Sequence, residues 1–532
     1  MKDRTRSFAI AVTLFAILAI PVRLAAQDKQ HHHRMPHHYQ LVDLSSTFGG
    51  PQSYFNPFPL DWAESSSLLN SGGTVTGYAD TSLSDPFPNF CLWDCDVVHA
   101  FRSQSDGVST DLGALPGGGS SVALGISANG LIAGLSENGG TDPLYAGLPE
   151  VHAVLWEQGK INDLGTLPEG GYQSYANAVN SSGQVVGAAM NTTSDMNPMS
   201  VSWLWFWITP PYQYQVRAFL WDKQEGMQDL GTLPGGTDAQ AFFINERGQV
   251  VGDSYISSTP GACAGDDGYP LTTNSFLWER GKGMKSLGSL GGTCSAATDL
   301  NNQGQVIGES SVTGDLYFHA YLWDGSIHDL GGSFGGNGDA AAFAINDRGE
   351  AVGAGDTPTG NQAVLWRHVG NIAYLGNLGG DCFTFAAAIN ATEQIGGGSV
   401  PCNEGNDSLR AFLWEDGSMF DLNALIPPDS ALHLQFVQNI NDRGEIAGTG
   451  VDVSGNTHAF LLIPCDEQHH GVEGCDYSPV DATKLAQVRA PQVAQTQSGS
   501  LRNGDPIGLR GRLPSAIARR YHMPGGANGS EK

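Results

Sequence analysis

Short runs in which apolar and polar residues alternate recur along most of the chain, and they predict β-strands. These runs form a repeat: residues 217–252 read RAFLWDKQEGMQDLGTLPGGTDAQAFFINERGQVVG, and residues 319–353 read HAYLWDGSIHDLGGSFGGNGDAAAFAINDRGEAVG. Copies begin about 51 residues apart, at His99, His152, Arg217, Asn274, His319, Gln362, Arg410 and His458. A period of this size is typical of a propeller blade.

Each repeat contains four strand-forming segments. Segment one is the HAFLW run, segment two the DLG run, segment three a run of small residues such as FAAAIN, and segment four the GQVVG run. Segment three is placed innermost because small side chains suit the crowded axis of a propeller, so the predicted order outward is three, four, one, two. An Asn-x-x-Gly turn, as in Asn245 to Gly248, joins segments three and four. Asn390 has Glu393 in the glycine position, so we expect that turn to differ.

The predicted fold class is all-β, an eight-bladed β-propeller of four-stranded repeats over residues 41–463. The N-terminal YQLVDL, residues 39–44, lacks the other three segments of a repeat, and residues 435–463 lack segment two. We therefore expect the N-terminal strand to close the last blade, which removes an exposed sheet edge.

The motif set HAFLW, DLGTLPGG, AxAIN and GQVVG resembles the HAF-repeat family of bacterial extracellular proteins over residues 41–463. The first copy reads HAFRS and the last HAFLL, so that Ser103 and Leu462 replace the Trp of the other copies. The resemblance implies export and a repeat architecture. It implies no reaction and no catalytic residues.

The distribution of charge limits the possible partners. The chain has 26 Lys and Arg against 54 Asp and Glu, and such an acidic protein is unsuited to nucleic acid. Residues 41–475 carry 12 bases and 48 acids, whereas residues 476–532 carry eight bases and four acids. Because residues 476–532 also lack the repeat and have few apolar residues, we predict a disordered basic tail.

The N-terminus has the order of a secretory signal peptide. Lys2, Arg4 and Arg6 precede an apolar run over residues 8–20 and the small residues Ala25 and Ala26. This order predicts a signal peptide over residues 1–26, followed by a His-rich linker over residues 27–40. The mature chain is expected to be a secreted or periplasmic, soluble monomer without a transmembrane anchor.

Eight cysteines in an exported chain favour disulfides. Pairing of sequence neighbours predicts Cys91 with Cys95, Cys263 with Cys294, Cys382 with Cys402, and Cys465 with Cys475. The last pair would close a loop over residues 464–475. Free buried thiols are the alternative.

The connection between segments four and one varies from 8 to 29 residues and is longest in the first four repeats. In the predicted order all these connections emerge on one face, where variable loops commonly carry binding sites. The longest insertion holds the ligand-binding candidates Trp203, Trp205, Trp207, Tyr212 and Tyr214. Alternate Trp residues share one face of a strand and could stack on a sugar or anchor a protein. Packing against a neighbouring loop is the alternative.

The remaining candidate residues do not indicate a catalytic or metal-binding site. The repeat Trp residues fit blade packing, and the repeat His positions hold Arg, Asn or Gln in sister copies, which a metal ligand would not tolerate. Ser333 matches a nucleophile-elbow string but lies at a repeat link, and the His31–His38 run fits a polar linker. We expect no cofactor, no metal site and no catalytic residue.

The leading hypothesis is therefore an exported, non-catalytic protein that binds a glycan or an extracellular protein through its insertion-bearing face. The alternative is an extracytoplasmic polysaccharide hydrolase or lyase whose acids come from different blades. A cell-surface structural protein without a ligand is a third possibility. Fold class does not choose among these functions.

Overall fold

The alternating repeat sequence folds into four-stranded antiparallel groups. The computed structural model describes residues 36–45, 48–55, 67–87, 96–104, 107–145, 147–195, 214–257, 271–331, 338–358, 360–402, 409–480 and 488–489. All of these residues belong to the compact unit Met35–Lys532. In this part of the chain the regular structure is β-strand, apart from one 3-10 helix, Leu422–Ala424.

Five sheets consist of four consecutive strands, which we number as groups 1 to 5. Their strands are β2 (Gly49–Tyr54), β3 (Val75–Ser84), β4 (Asp96–Ser103) and β5 (Thr110–Asp111); β6 (Ser121–Ile126), β7 (Ile132–Thr141), β8 (Pro149–Glu157) and β9 (Lys160–Gly165); β10 (Ser174–Val179), β11 (Val185–Ser194), β12 (Tyr214–Asp222) and β13 (Gly226–Asp229); β14 (Ala239–Ile244), β15 (Val250–Tyr255), β16 (Thr273–Glu279) and β17 (Gly283–Ser286); β18 (Gly291–Leu300), β19 (Val306–Val312), β20 (Phe318–Trp323) and β21 (Ile327–Gly331).

Two further groups, 6 and 7, join into one nine-stranded sheet through a single parallel bridge between Asn361 and Phe383. Their strands are β22 (Ala340–Ile345), β23 (Ala351–Thr357), β24 (Gly360–His368) and β25 (Asn371–Gly376); β26 (Asp381–Ile389), β27 (Ile395–Pro401), β28 (Arg410–Glu415) and β29 (Ser418–Asp421), with β33 (Val488–Arg489) on the outer edge of β29.

The N-terminal strand completes the last sheet, group 8. Its order is β1 (Tyr39–Asp43), β32 (Thr457–Pro464), β31 (Ile446–Val451) and β30 (His433–Ile440). Strand β1 pairs antiparallel with β32, from Tyr39 opposite Pro464 to Asp43 opposite Phe460. The N-terminal strand is thus the outer strand of the last group, as expected, and it begins at Tyr39, the first residue of the predicted strand.

The order of strands in every group is segment three, four, one, two, which confirms the order of segments predicted from the repeat. Apolar side chains of neighbouring groups pack together between the sheets, as Val186 and Leu220 of group 3 pack with Phe276 of group 4. The repeat Trp residues belong to these interfaces, and Trp156 and Trp366 are 2% and 1% exposed. Their role in packing is therefore the one that the sequence predicts.

The second glycine of segment four lies where the sheet leaves no room for a side chain. In group 4 this residue is Gly252, and a Cβ there would overlap the carbonyl oxygen of Gln240 on the inner strand. The inner strand has a register shift between Ala241 and Phe243, which brings its backbone close to β15. The equivalent glycines in the other groups have the same close approach, at Gly77, Gly134, Gly187, Gly308, Gly353, Gly397 and Gly448.

The Asn of the Asn-x-x-Gly turn does more than form the turn. Asn245 Oδ1 accepts hydrogen bonds from the backbone N–H groups of Arg247 and Gln249, at 3.1 and 3.0 Å. Its Nδ2 donates to the carbonyl oxygen of Asn301 in the next group, at 3.1 Å. A hydrogen bond from the amide to the backbone of the next group recurs at Asn180, Asn301, Asn346, Asn390, Asn441 and Asn70.

These amide bonds run from group to group and from group 8 back to group 1. Asn441 Nδ2 donates to Asn70 O at 3.1 Å, and Asn70 Nδ2 donates to Ser127 O at 3.2 Å. Ser127 takes the Asn position in group 2, and there Asn129 Nδ2 donates to Ser181 O at 2.9 Å instead. The turns therefore connect the inner ends of consecutive groups.

The turn at Asn390 does not differ from its sisters, so that expectation is wrong. Asn390 Nδ2 donates to Asn441 O at 3.0 Å, and the backbone N–H of Glu393 donates to Asn390 O at 3.3 Å. Glu393 adopts a φ of 59°, the left-handed region that glycine occupies in the other turns. Its carboxylate accepts two hydrogen bonds from Arg367 at 2.8 Å, which offset the backbone strain.

The variable first residue of HAFLW pairs with the Asp of DLG on the neighbouring outer strand. His152 Nδ1 lies 2.8 Å from Asp163, and Arg217 Nε lies 2.9 Å from Asp229. The same contact is made by His99 with Asp111, His319 with Asp329, Arg410 with Asp421 and His458 with Asp43. The repeat His residues are thus strand polar groups, as predicted.

Two of these histidines have raised pKa values. Burial opposes protonation of His152, but the hydrogen bonds and charges of Asp163 and Glu150 outweigh it and raise the pKa. The hydrogen bond to Asp43 is the main cause of the raised pKa of His458. A raised pKa in the folded state stabilises the fold fully below the unfolded value of about 6.5, and this contribution is lost as pH rises through the folded pKa.

We expect the melting temperature to fall as pH rises above about 6.5, because His152 and His458 then lose protons that the folded state binds more tightly than the unfolded state. The double variant His152→Arg, His458→Arg should weaken this pH dependence, since Arg remains charged, as in the Arg217–Asp229 pair. Calorimetric melting at a series of pH values tests the prediction. The same slope in the wild type and the double variant would contradict it.

After the last repeat strand the structure describes residues 465–480 and 488–489, and the rest of the predicted disordered tail over residues 476–532 lies outside the described residues. The disulfide Cys465–Cys475 closes the predicted loop, and Tyr477 Oη donates to His469 O at 2.9 Å. Val480 packs in a cluster with Tyr39. Strand β33 pairs with the outer edge of β29, where unpaired backbone groups offer hydrogen bonds to an extended segment.

Candidate functional site

The connections between segments four and one extend the first three groups on one face, which we call the insertion face. Strands β3, β7 and β11 each have ten residues, whereas segment four has six or seven residues in groups 4 to 8. Pairing continues to Ser84 with Asp96, Thr141 with Pro149 and Ser194 with Tyr214. These insertions are therefore extended hairpins on the scaffold.

The extended hairpins rest on one shared apolar cluster. It contains Tyr54 and Tyr78 of group 1, Leu135 of group 2, Met190 of group 3 and Tyr255 of group 4. The rings of Tyr54 and Tyr78 stack with centroids 5.2 Å apart. A cluster that four groups share fixes the hairpins relative to the sheets, so the insertion face has a preformed support.

Tyr214 is the one aromatic ligand-binding candidate that the structure describes. It starts β12, is partly buried, and packs against the shared cluster. Its ring meets that of Tyr145, from the neighbouring hairpin, edge-on with centroids 5.9 Å apart. Tyr214 therefore contributes packing between two hairpins while part of its surface remains accessible. Trp203, Trp205, Trp207 and Tyr212 lie outside the described residues.

Two carboxylates that sequence reasoning missed lie between groups 1 and 2 on this face. Glu137, 2% exposed, accepts hydrogen bonds at Oε2 from the backbone N–H groups of Gly119 and Ser120, at 2.9 and 3.1 Å. Burial raises the pKa of Glu137, and the charge of Asp85 adds to the rise. Burial also raises the pKa of Asp85. The equivalent position holds an acid in groups 1 and 6 as well, Asp80 and Asp356, but Met190 and Tyr255 in groups 3 and 4.

Disulfides stabilise the insertion face away from the long hairpins. Cys382–Cys402 joins the start of segment three to the connection that follows segment four in group 7. This is one of the pairs expected from the sequence. Cys294 is also disulfide-bonded. Its expected partner Cys263, as well as Cys91 and Cys95, lies outside the described residues.

A second candidate site lies where the inner strands approach the Asn turns. A cavity of about 120 Å³ there, the axial pocket, is lined by residues of groups 1, 5, 6, 7 and 8. Most of its lining residues are Ala and Ile, the polar side chains among the lining residues are Ser67, Asp299 and Asn439, and more of the lining surface is polar than apolar. Small residues in segment three thus leave a narrow space between the innermost strands.

Asp299 is the ionisable group of the axial pocket lining. Its Oδ2 accepts a hydrogen bond from the backbone N–H of Ile345 in the next group, at 2.9 Å. Burial raises the pKa of Asp299 to about 6, and the charge of Asp347 contributes to the rise. Backbone N–H groups of Ile345 and Leu300 act in the opposite direction. The axial pocket is therefore lined by a carboxylate whose pKa is raised to about 6.

The inner strand of group 1 is interrupted beside this pocket, a feature that sequence reasoning missed. Strand β2 ends at Tyr54, and pairing with β3 resumes where Leu69 bridges Val75. The insertion between Phe55 and Ser67 includes residues 56–66, which lie outside the described part of the chain. Group 1 thus carries an insertion in its inner strand as well as in its hairpin.

The described residues lack two features. They contain no group of three or more His, Cys, Asp or Glu side chains arranged to hold a metal ion. They also include no helix with the length and apolar character needed to span a membrane.

No protein-family model and no curated protein matches the chain. Its structure is similar to TolB from Acinetobacter baumannii, with a TM-score of 0.29, 13% identity and coverage of 56% of this chain and 61% of TolB. It is also similar to Kuenenia stuttgartiensis hydrazine synthase, with a TM-score of 0.28, 10% identity and coverage of 62% and 46%. Trypanosoma rangeli sialidase in complex with the inhibitor DANA gives a TM-score of 0.29, 8% identity and coverage of 80% and 58%. The chain thus spans less than two thirds of each of these proteins.

Proposed function

We propose that the protein is an exported, closed, eight-bladed β-propeller that binds a glycan or an extracellular protein through its insertion face, without catalysis. The observation that carries this proposal is the set of extended hairpins in the first three groups, supported on one apolar cluster. Variable loops on a rigid repeat scaffold are a common place for binding. The resemblance to the HAF-repeat family remains a prediction from the motifs.

Closure of the propeller is supported at both ends of the chain. Strand β1 pairs with β32, and the amide of Asn441 in group 8 donates to Asn70 in group 1. The backbone N–H of Ala459 in group 8 also donates to Ser53 Oγ in group 1, at 2.9 Å. These contacts join the last group to the first, which is the arrangement a closed propeller requires.

The repeat residues themselves are engaged in structure. The Asn side chains join the turns of neighbouring groups, and the His or Arg side chains pair with Asp of the outer strand. Residues that differ between repeats are therefore the better candidates for function. They concentrate in the hairpins of groups 1 to 3 and in the axial pocket.

Export fits the disulfides Cys382–Cys402 and Cys465–Cys475 and the disulfide-bonded Cys294, since such bonds persist in oxidising compartments. The signal peptide over residues 1–26 and the secreted or periplasmic location remain predictions from the sequence.

The alternative function is a polysaccharide hydrolase or lyase. Glycoside hydrolysis commonly uses two carboxylates on opposite sides of the scissile bond, and the described lining of the axial pocket provides one, Asp299. Burial also raises the pKa values of Asp85 and Glu137, two neighbouring carboxylates on the insertion face. One oxygen of Glu137 is already engaged with two backbone N–H groups, which favours a structural role and therefore the binding function.

The triple variant Trp203→Ala, Trp205→Ala, Trp207→Ala should lose binding to a glycan that the wild-type protein binds on a broad polysaccharide array. Each stacked ring contributes affinity through its large buried area, so the loss should be at least about 100-fold, or roughly 3 kcal/mol.

The matched control is Val369→Ala, Ile372→Ala, which removes two exposed apolar side chains, 46% and 40% exposed, at the opposite ends of the strands. It should bind like the wild type. Equal binding by the triple variant and the control would reject the aromatic site. Consumption of a bound glycan would instead support the enzyme.

A further inference from the structure

The loop that the disulfide Cys465–Cys475 closes, which we call the C-terminal loop, lies against the start of strand β1. The backbone N–H of Cys465 donates to the carbonyl oxygen of His38 at 2.8 Å, which extends the pairing of β32 with β1 by one residue. At the other end of the loop, a Cβ on Gly474 would lie 2.7 Å from Gln40 Oε1. His38 Nε2 also lies 3.8 Å from Asp476 Oδ2. The disulfide thus brings both ends of the loop against β1.

The middle of the C-terminal loop reaches the junction between group 8 and group 1. The side chain of His469 is 2% exposed, with Nδ1 2.8 Å from Asp466 Oδ1 and Nε2 3.6 Å from Glu445 Oε1. Glu445 is fully buried, and its Oε2 accepts a hydrogen bond at 2.6 Å from Asn441, the residue whose amide joins group 8 to group 1. A Cβ on Gly73 of group 1 would meet the same oxygen at 2.6 Å. The loop is therefore in contact with both parts of the closure, the strand and the turn.

The C-terminal loop has little besides the disulfide to hold its shape. Residues 466–474 form turns and bends and contain one apolar side chain, Val472. Tyr477 Oη accepts hydrogen bonds from the backbone N–H groups of Gly471 and Val472, at 3.0 and 3.1 Å. A short polar segment buries too little apolar surface to offset the entropy lost when it becomes ordered. The covalent link is therefore the main constraint on this loop.

The two cysteines of this disulfide differ in exposure. Cys465 is 4% exposed, whereas Cys475 is partly exposed, so a reductant can reach Cys475 in the folded protein. We propose that the C-terminal loop is a redox-sensitive clasp: the intact disulfide keeps β1 in group 8, and its reduction by a dithiol releases β1 and opens the junction between groups 8 and 1. This inference rests on the closure contacts and does not depend on the insertion face.

The reduction is a thiol–disulfide exchange. One thiolate of the dithiol attacks Cys475 Sγ, forms a mixed disulfide and releases Cys465 as a thiolate. The second thiolate of the dithiol then attacks the dithiol sulfur of the mixed disulfide, closes the dithiol into its own disulfide and releases Cys475. The two cysteines together gain two electrons and two protons, and the dithiol loses the same number.

The test is hydrogen–deuterium exchange, measured by mass spectrometry, in the purified full chain with and without dithiothreitol. Exchange of the amides of residues 39–43 should become at least about tenfold faster in dithiothreitol, because an edge strand without its clasp opens locally more often. The amides of β10 and β11 in group 3, a group that contains no cysteine, should exchange at an unchanged rate. Removal of the reductant and reoxidation should restore the slow exchange of residues 39–43.

Two double variants assign the effect to one disulfide. Cys465→Ser, Cys475→Ser should speed exchange of residues 39–43 at least about tenfold without reductant and should abolish the response to dithiothreitol. Cys382→Ser, Cys402→Ser is the matched control, since β26 and β27 remain paired beside that disulfide when it is absent. The control should exchange like the wild type and keep its response to dithiothreitol.

The proposal is overturned if dithiothreitol reduces the Cys465–Cys475 bond, as alkylation and peptide mapping report, while residues 39–43 keep their slow exchange. Resistance of this bond to dithiothreitol in the folded protein overturns it as well. Equal acceleration in β10 and β11 also overturns it, because the disulfide then acts on global stability rather than on the closure. Reduction of the folded wild type decides among these results even if the Cys465→Ser, Cys475→Ser variant does not fold.

Discussion

Gly252→Ala should destabilise the protein by roughly 3 kcal/mol or more, although it adds a single methyl group. The new Cβ would overlap the carbonyl oxygen of Gln240, and the neighbouring atom is backbone rather than the movable end of a side chain. Relief would require β14 and β15 to separate, which breaks the hydrogen bonds on either side of the register shift at Ala241 and Phe243. The free energy of unfolding in urea measures the loss.

The matched control for this prediction is Gly281→Ala, also in group 4. Gly281 has a φ of 79°, and a Cβ there would meet no atom within 4 Å. Its cost is confined to backbone strain, roughly 1 kcal/mol. If Gly252→Ala were no more destabilising than Gly281→Ala, this would contradict the close approach of the Gly252 backbone to the carbonyl oxygen of Gln240.

The second large effect is expected from deleting residues 39–43, the strand β1. This removes the five paired positions with β32, the buried ring of Tyr39 (3% exposed) and the partner of His458. We expect a loss on the order of 5 kcal/mol in the free energy of unfolding. The uncovered edge of β32 should also cause concentration-dependent association, because an unpaired strand is a template for another chain.

A synthetic peptide of residues 36–45 should restore both the stability and the monomeric state of the deletion variant. The same peptide with Leu41→Pro is the control, since proline lacks a backbone N–H and resists pairing within a sheet. Melting curves and analytical ultracentrifugation report the two properties. An unchanged melting temperature after deletion would show that β1 does not complete group 8.

The repeat made the strand order predictable because eight copies of one pattern average out local ambiguity. Ala-rich segment three, as in residues 385–390, indicated the inner strand, and the missing segment two after residue 463 indicated that Tyr39–Asp43 would supply it. The pairing of His152 with Asp163 could also have been inferred, since sister copies hold Arg with Asp or Asn with Ser at the two positions.

Features that occur in one copy could not be predicted in this way. The interruption of the inner strand after Phe55 has no sister, and β33 pairs with β29 although its sequence lies outside the repeat. Asp299 is also a feature of one copy. The register shift between Ala297 and Asp299 recurs in the sister groups, but those groups hold residues such as Ala178, Phe243 and Ala344 at the position of Asp299.

For the aromatic candidates, the sequence predicts which side chains share a face but not what that face contacts. Alternation of Trp203, Trp205 and Trp207 indicates that they share a face if they form a strand, but a partner hairpin decides what that face contacts. Tyr214 illustrates this dependence, because its ring packs on Tyr145 from an insertion 69 positions earlier in the sequence.

Binding by the insertion face is tested most directly by replacing residues 195–213 with an Asn-Gly turn. Ser194 and Tyr214 are directly paired, so a two-residue turn can join them while β11, β12 and Tyr214 are retained. Binding of this variant and of the wild type is then measured on the same glycan array, after calorimetry has shown that the variant melts cooperatively. We predict that the wild type binds and that the folded variant does not. Wild-type binding retained in the variant would contradict a binding site built by this insertion.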